Sequence, residues 1–347
     1  MSDNLQTVSR TLPPHLQLLQ MNAGSLVSRV LCAAAKLGLA DHLAAGPRSA
    51  SELAGPLRLH AQSLHRLMRT LASLGVLSEG EAQRFALTPL GAALKTNAPG
   101  SVRSALLLVG SNWMERAWDH FMYSLETGET GMEKAWGVPM FAYLAQHPED
   151  ASLFSETMIA FHGAEPPAIA AAYNFTDFGA VVDVGGATGN MLAAILARYP
   201  GPRGILFDRP HVVSDAPRLL KARGVEERVT IEPGDFFETV PAGGDVYILS
   251  HIIHDWKDEQ CLAILANCRN AMKPGARLLI VEMVLPDGDT PHRGKLLDMA
   301  MLAMTGGQER TEAEYADLLR RAGFRLNRVV PTESDASVWK PCRLSRR

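Results

Sequence analysis

The second half of the chain changes its hydrophobic rhythm every few residues. From about residue 180, short apolar β-branched runs alternate with segments whose apolar positions recur at helical spacing. "AVVDVGG" reads as a strand, "TGNMLAAILARYP" as a helix, "RGILFDRP" as a strand and "VVSDAPRLLKARG" as a helix. "RVTIEPGD" and "DVYILSHII" are strands, and "KDEQCLAILANCRNAMKPG" is a helix stopped by Pro-Gly. The strand "ARLLIVEMVLP", the helix "TEAEYADLLRRAG" and two closing strands, "FRLNRVVPT" and "ASVWK", complete the run. Such alternation predicts an α/β fold with a doubly wound, mostly parallel sheet, whose ligands bind outside the carboxyl ends of the strands.

The first hundred residues follow a helical pattern. "HLQLLQMNAGSLVSRVLCAAAKLGLADHL" is more apolar than an isolated helix pair needs, so part of its surface is expected to pack against another chain. Ser49 or Ser51 caps the next helix, with Glu52 in its first turn, and Gly55-Pro56 breaks it. Residues 61–74 form a second helix ended near Gly75, followed by a hairpin of Val76–Ser78 with Arg84–Leu87. Helix, turn, helix, hairpin is a winged-helix order. Gln62, His65, Arg66 and Arg69 would face DNA if residues 61–74 were a recognition helix. The competing reading, a winged-helix scaffold reused for contacts between chains, is favoured by the acidic total. Residues 101–172 read as helical and rich in large side chains. Most of these are core, and a subset including Phe154, Met158 and His162 is expected to wall an apolar ligand pocket.

Composition narrows the classes. A length of 347 residues suits two domains, with three possible. A net charge of −3 argues against a generally basic nucleic-acid binder. Cys32, Cys261, Cys268 and Cys342 contain no C-x-x-C pair, and Cys261 and Cys268 share a helix face, which points to core packing over zinc or a disulfide. The N-terminus "MSDNLQTVSRTLPPHLQ" lacks the apolar centre of a secretory signal. No uninterrupted apolar run reaches about 18 residues, so no membrane span is expected and a cytoplasmic location fits.

The chemistry begins at "VVDVGGATGN", where Gly185 and Gly186 permit a tight turn and Gly189 lets the following helix start close by. The spacing is not the G-x-G-x-x-G of a dinucleotide site. Asp183 lies just inside this first strand, Asp208 ends the second, and Asp235 follows the third in "PGDFF". A bidentate acceptor at Asp208 suits a ribose diol, Asp235 can reach an adenine amine, and Phe236 can lie against the adenine face. Three acids suit a cationic, phosphate-free nucleoside and repel a polyphosphate, which favours S-adenosylmethionine over NAD. For any one acid, capping the next helix is the simpler reading.

Together "VVDVGGATG", "LFDRPHVV", "PGDFF", "HIIHDWKDEQC", "KPGARLLIVEMVLP" and "GGQERTEAEYADLLRRAGF" resemble the S-adenosylmethionine-dependent O-methyltransferases of the plant caffeic-acid and bacterial polyketide-tailoring type, over roughly Leu18 to Lys340. The resemblance implies a Rossmann-like, seven-stranded catalytic domain over 176–347. It also implies an all-α winged-helix dimerisation domain over 11–100 and a helical linker over 101–175 that contributes to the substrate pocket. It implies a homodimer, a small aromatic acceptor, and neither nucleic acid nor membrane as partner. Ala187 stands where the family often has a third glycine. Ser250 stands where plant members carry an adenine-contacting lysine.

In "YILSHIIHDWKDEQC", His254 matches the family's catalytic histidine. A phenol near pKa ~10 is mostly protonated at neutral pH, and a positioned base contributes typically ~10²–10⁴-fold. By resemblance Glu282 and Glu309 flank His254 and hold its ring in one tautomer. His251 reads as a paired or core histidine. Asp255 either orients the site and meets the acceptor or caps the helix over 258–272, and Trp256 packs beneath the cofactor. Met301 and Met304 stand where family members contact the acceptor. H-x-x-H-D with a nearby Glu can also hold zinc or iron, but the motif set favours no metal.

Overall fold

A computed structural model describes residues 12–334 and 336–343. Of the N-terminal stretch 1–17, expected above to lack a signal core, residues 1–11 lie outside the described residues. The chain falls into two compact units: one runs to Glu115 and includes Ser152–Phe161, the other comprises Arg116–Ala151 and His162 onward.

In the first unit, the Ser49 hydroxyl accepts the Glu52 N–H at 3.3 Å while the Glu52 carboxylate accepts the Ser49 N–H at 2.6 Å. This capping box starts the helix Ala50–Leu57. The helix runs through Gly55-Pro56, against the expected break, and ends where Arg58 turns left-handed at φ 55°. Pro56 sits next to the last helical residue, where its missing N–H forfeits only one bond. After the helix Ala61–Ser73, strands β1 (Arg48–Ser49), β2 (Leu77–Glu79) and β3 (Arg84–Leu87) pair in the order β1-β3-β2. The predicted hairpin is β2–β3, and β1 widens it into a three-stranded wing whose Phe85 joins Leu53, Leu64, Met68 and Leu71 in one core.

The helix Pro14–Asn22 buries none of its residues, and Gly24–Lys36 buries Ala34 and Ala35 and packs Val30 and Leu31 on the core of this unit, while Leu18 and Leu26 stay 68% and 66% exposed. Pro14–Lys36 taken as one helical stretch has 23 residues, and an 18-residue window within it reaches a mean hydropathy of 1.2, long and apolar enough by length and composition to cross a membrane. No uninterrupted apolar run marks it, because polar residues such as Gln17, Asn22 and Arg29 punctuate the stretch.

The second unit is built on strands β4 (Ala180–Val184), β5 (Arg203–Asp208), β6 (Val229–Pro233), β7 (Val246–Ser250), β8 (Arg277–Leu285), β9 (Arg310–Thr311), β10 (Phe324–Val330) and β11 (Ala336–Arg343). The sheet runs β10-β11-β8-β7-β4-β5-β6, seven strands as expected, and the short β9 pairs with the end of β8. Strands β4 to β8 are parallel, and β10 and β11 close one edge antiparallel. Helices cover both faces, which is why Val181, Val182, Val246, Tyr247, Ile248 and Leu249 are all buried without alternation. Free Cys261 and Cys268 are fully buried in that core. Because β5 and β7 flank β4 on opposite sides, the connections diverge at β4, the point at whose carboxyl end doubly wound sheets hold their ligands. Strand β7 stops at Ser250, short of the predicted "SHII" extension. His251 turns left-handed at φ 53°, and Ile253–Asp255 form a 3₁₀ turn.

Candidate active site

The crevice has two neighbouring parts. The first is the loop after β4. Gly185 (φ 71°) donates its N–H to the Phe207 carbonyl at 2.8 Å, and a Cβ there would stand 2.4 Å from Ile252 Cδ1. A Cβ on Gly186 would fall 2.6 Å from the Asp183 carboxyl carbon, and Gly189 (φ 83°) opens the helix Asn190–Arg198. These are positions where a side chain would close the loop. Ala187 takes the left-handed conformation at φ 49° with a β-carbon, and its N–H donates to Asp208 Oδ2 at 2.9 Å.

The three acids surround this loop. Asp208 Oδ1 accepts the Arg209 N–H at 2.7 Å; Asp235 Oδ1 accepts the Phe237 N–H at 2.9 Å, and its Oδ2 lies 3.4 Å from the Arg209 guanidinium. Burial raises the Asp208 carboxyl despite the Arg209 and Ala187 N–H groups. Asp183 is fully buried, neither of its oxygens has a well-formed hydrogen bond among the described residues, and burial lifts it to about 7 against only the Leu192 N–H. Phe236 borders the glycine turn and meets Trp256 edge-on at 6.0 Å; Trp256 also packs on Phe237 at 4.8 Å, and Ser250 ends β7 half-buried. Carboxylates gathered round a glycine turn, one of them lacking a partner, fit a cationic nucleoside with a free diol and oppose a pyrophosphate. The residues present therefore suit S-adenosylmethionine.

The second part follows β7. Glu282, wholly buried on β8, accepts the N–H groups of Ile253 (2.8 Å) and His254 (3.2 Å) through Oε1, which pins the 3₁₀ turn to the neighbouring strand. His254 Nδ1 lies 2.7 Å from Glu309 Oε1 and 3.6 Å from Glu282 Oε2. A carboxylate at Nδ1 requires the proton there, so in the neutral ring Nε2 is the acceptor. Asp255 Oδ1 stands 3.7 Å from Nε2. Asp255 does not cap the following helix, whose N-cap is Lys257. Burial pulls the His254 imidazolium down, but Glu282, Asp255 and Glu309 outweigh it and lift the ring to about 10. Burial likewise raises Asp255 to about 6, against the pull of His254.

His251 is paired, as expected: its Nε2 lies 2.6 Å from Glu165 Oε1. His162 stacks on it, centroids 4.0 Å apart and planes within 4°. Burial first, then the neighbouring His251 and His254, hold His162 down at about 2, so it stays neutral. Met301 is half-buried and Met304 buried on the helix Arg293–Met304, whereas Phe154 and Met158 belong to the first unit, half-buried there.

Sequence reasoning passed over three residues that build the site. A Cβ on Gly307 would sit 2.0 Å from the His254 carbonyl, so only glycine lets the Glu309 segment approach. Arg310 is buried and donates to the Ile253 carbonyl (3.1 Å), the Trp256 carbonyl (3.3 Å) and Asp258 (2.9 Å), tying both sides of the turn together. Glu165 gave no local signal beyond a carboxylate beside two prolines in an apolar segment.

The chain is similar to known proteins along nearly its whole length. Residues 118–325 match the O-methyltransferase domain and residues 19–97 the O-methyltransferase dimerisation domain. The phenazine O-methyltransferase PhzM of Lysobacter antibioticus is 45% identical over 321 residues, 92% of this chain and 94% of that one. The 8-amino-8-demethylriboflavin N,N-dimethyltransferase of Streptomyces davaonensis is 34% identical over 93% of each chain. Among solved structures, LaPhzM superposes with TM-score 0.92 at 44% identity, covering 96% of this chain and all of that one. NcsB1 of neocarzinostatin biosynthesis, solved with S-adenosylmethionine and 2-hydroxy-5-methyl naphthoic acid, gives 0.81 at 30% identity over 92% of this chain and 96% of that one. The chain thus belongs to the O-methyltransferase family, as an S-adenosylmethionine-dependent methyltransferase of specialised metabolism that joins a dimerisation domain to its catalytic domain.

Proposed function

We propose that this enzyme methylates a phenolic or enolic hydroxyl of a small aromatic molecule, with His254 as general base. The observation that carries the reading is the His254 ring itself. Its Nδ1 is held by Glu309 at 2.7 Å, leaving Nε2 as the acceptor. S-adenosylmethionine, when bound, supplies the electrophilic methyl group. The chain's own task is to bind the acceptor, align its oxygen and hold its proton at Nε2. The carboxylates around the ring raise its proton affinity above that of a free imidazole, toward that of a phenol of pKa ~10, so the ring in its neutral form is a strong base toward the acceptor hydroxyl. Asp255 stands beside Nε2, and His162, Met301 and Met304 supply flat, largely apolar surface. Asp183, Gly185, Gly186, Gly189, Asp208, Asp235, Phe236 and Ser250 form the cofactor cradle.

The enzyme acts as a homodimer through its N-terminal helices, whose exposed leucines make up the apolar surplus of a single chain. A second reading places the methyl on an aromatic nitrogen, as the name of the riboflavin-analogue relative states for that protein. An amine needs no carboxylate-braced base, which favours oxygen here.

The test is a screen of phenolic acceptors with labelled S-adenosylmethionine, comparing the natural enzyme with His254→Ala. The variant is expected to keep cofactor affinity in calorimetry and lose ~10²–10⁴-fold in turnover. Undiminished turnover in a folded variant removes the base assignment, and label transferred only to amines moves the reading to nitrogen.

A further inference from the structure

The proposed chemistry uses His254, Glu282 and Glu309 but leaves a second, largely buried histidine–carboxylate pair unexplained. His251 occupies the left-handed region at φ 53°, a conformation few non-glycine residues adopt. That turn ends β7 and swings the ring inward, with Nε2 on Glu165 Oε1 at 2.6 Å and Nδ1 facing Glu282 Oε2 at 3.8 Å. The same Glu282 oxygen lies 3.6 Å from His254 Nδ1. One carboxylate oxygen is therefore shared by two imidazoles whose centroids are 5.4 Å apart, while its partner oxygen is committed to backbone N–H groups. Neither Glu282 Oε2 nor His251 Nδ1 has any other hydrogen-bond partner among the described residues.

We propose that the His251–Glu165 pair is a positioning pair for methyl transfer: it holds a cationic imidazolium on the far side of Glu282 and so keeps His254 free to accept the acceptor's proton. This rests on His254 being the base. The groups facing His254 are Glu282 from β8, Glu309 from the segment before β9, Asp255 from its own turn, and His251. His162 stands behind His251, and the buried hydroxyl of Tyr315 lies toward the glutamates. The carboxylates of Glu282, Glu309 and Asp255 together over-stabilise a proton on His254. A second fixed positive charge on the shared oxygen opposes that, because like charges about 4–6 Å apart disfavour each other's ionised form by roughly one unit or more. Glu165 holds the proton on His251, countering the burial that would strip it. His162, neutral and parallel to the ring, excludes water from its face.

His251→Asn tests this, because asparagine tolerates the left-handed turn but cannot be cationic. The acidic limb of log kcat/KM against pH is expected to move up by about one unit, with about tenfold less activity near pH 7 that returns at higher pH. Glu165→Gln should shift the limb in the same direction, and the double variant should be no worse than either alone. Cofactor affinity should be unchanged in all three. An unmoved limb, or a loss that raising the pH does not restore, overturns the proposal and leaves His251 a structural residue. If His254→Ala keeps its activity, the base assignment fails first, and that experiment is separate from this one.

Discussion

Replacing Glu309 by Gln would test the electrostatics of the site most directly. The amide is nearly isosteric, so its carbonyl oxygen can still accept the His254 Nδ1–H across the 2.7 Å contact, and only the charge is lost. Hydrogen bonds to a charged group are worth ~1.5–3 kcal/mol against about 1 for a neutral pair, so the buried imidazolium should lose ~1–2 kcal/mol, or about one pKa unit. The sign follows from the direction of the shift. His254 lies above its ordinary 6.5, near 10, because carboxylates outweigh burial. Removing one carboxylate lowers it, and the acidic limb of kcat/KM, which reports the free enzyme, moves to lower pH. The plateau should fall severalfold, since a weaker base accepts the phenol proton less readily. Stability gives a second readout. A histidine raised in the folded state contributes stabilisation that is full below pH 6.5 and is lost as pH rises toward 10. The variant should therefore melt lower than the natural enzyme at about pH 6, and the gap should narrow at about pH 9. Initial rates with labelled cofactor from about pH 6 to 10, and melting curves over the same range, measure both. A limb that stays put or moves up would show that Glu309 does not set the basicity of His254.

Three other outcomes are expected. Asp183→Asn should weaken cofactor binding at least tenfold in calorimetry, yet raise the melting temperature of the cofactor-free protein at about pH 8. Burial lifts Asp183 from 3.8 to about 7, so the folded state keeps a proton that the unfolded chain releases, and stability declines as pH rises through that window; equal melting of both proteins at pH 8 would contradict this. Ala187→Gly should stabilise by ~0.5 kcal/mol, because a β-carbon in the left-handed region costs ~1–2 kcal/mol and glycine's extra chain entropy returns most of it; a lower midpoint in urea would refute the strain. Asp at both Leu18 and Leu26 should convert the homodimer to monomer in light scattering, since both side chains are exposed in the single chain; an intact dimer would place the interface elsewhere.

The alternating pattern after residue 180 already implied the parallel sheet, and each strand-end acid lies where its run of apolar residues stops. Asp183, Asp208 and Asp235 reach one crevice because all parallel strands of a doubly wound sheet end on the same edge. The histidine cluster was legible only through motif resemblance. Nothing local to "SHIIHD" tells that β7 ends at Ser250, since the turn is pinned by Glu282, which pairs from 28 and 29 residues away. Glu309 reads locally as a surface acid before a helix and is instead buried against a ring 55 residues distant. Glu165, Arg310 and Gly307 escaped for the same reason, because each is needed by a partner far along the chain.

Hydrophobic spacing is a local property, so the order of elements, the glycine turn and the presence of a histidine at a strand mouth were settled by residue order alone. The protonation of that histidine was not. It depends on how many carboxylates and cations converge within a few ångströms in a dry interior, where charges act strongly on one another, and only the packing of β7 against β8 and the segment before β9 brings them there.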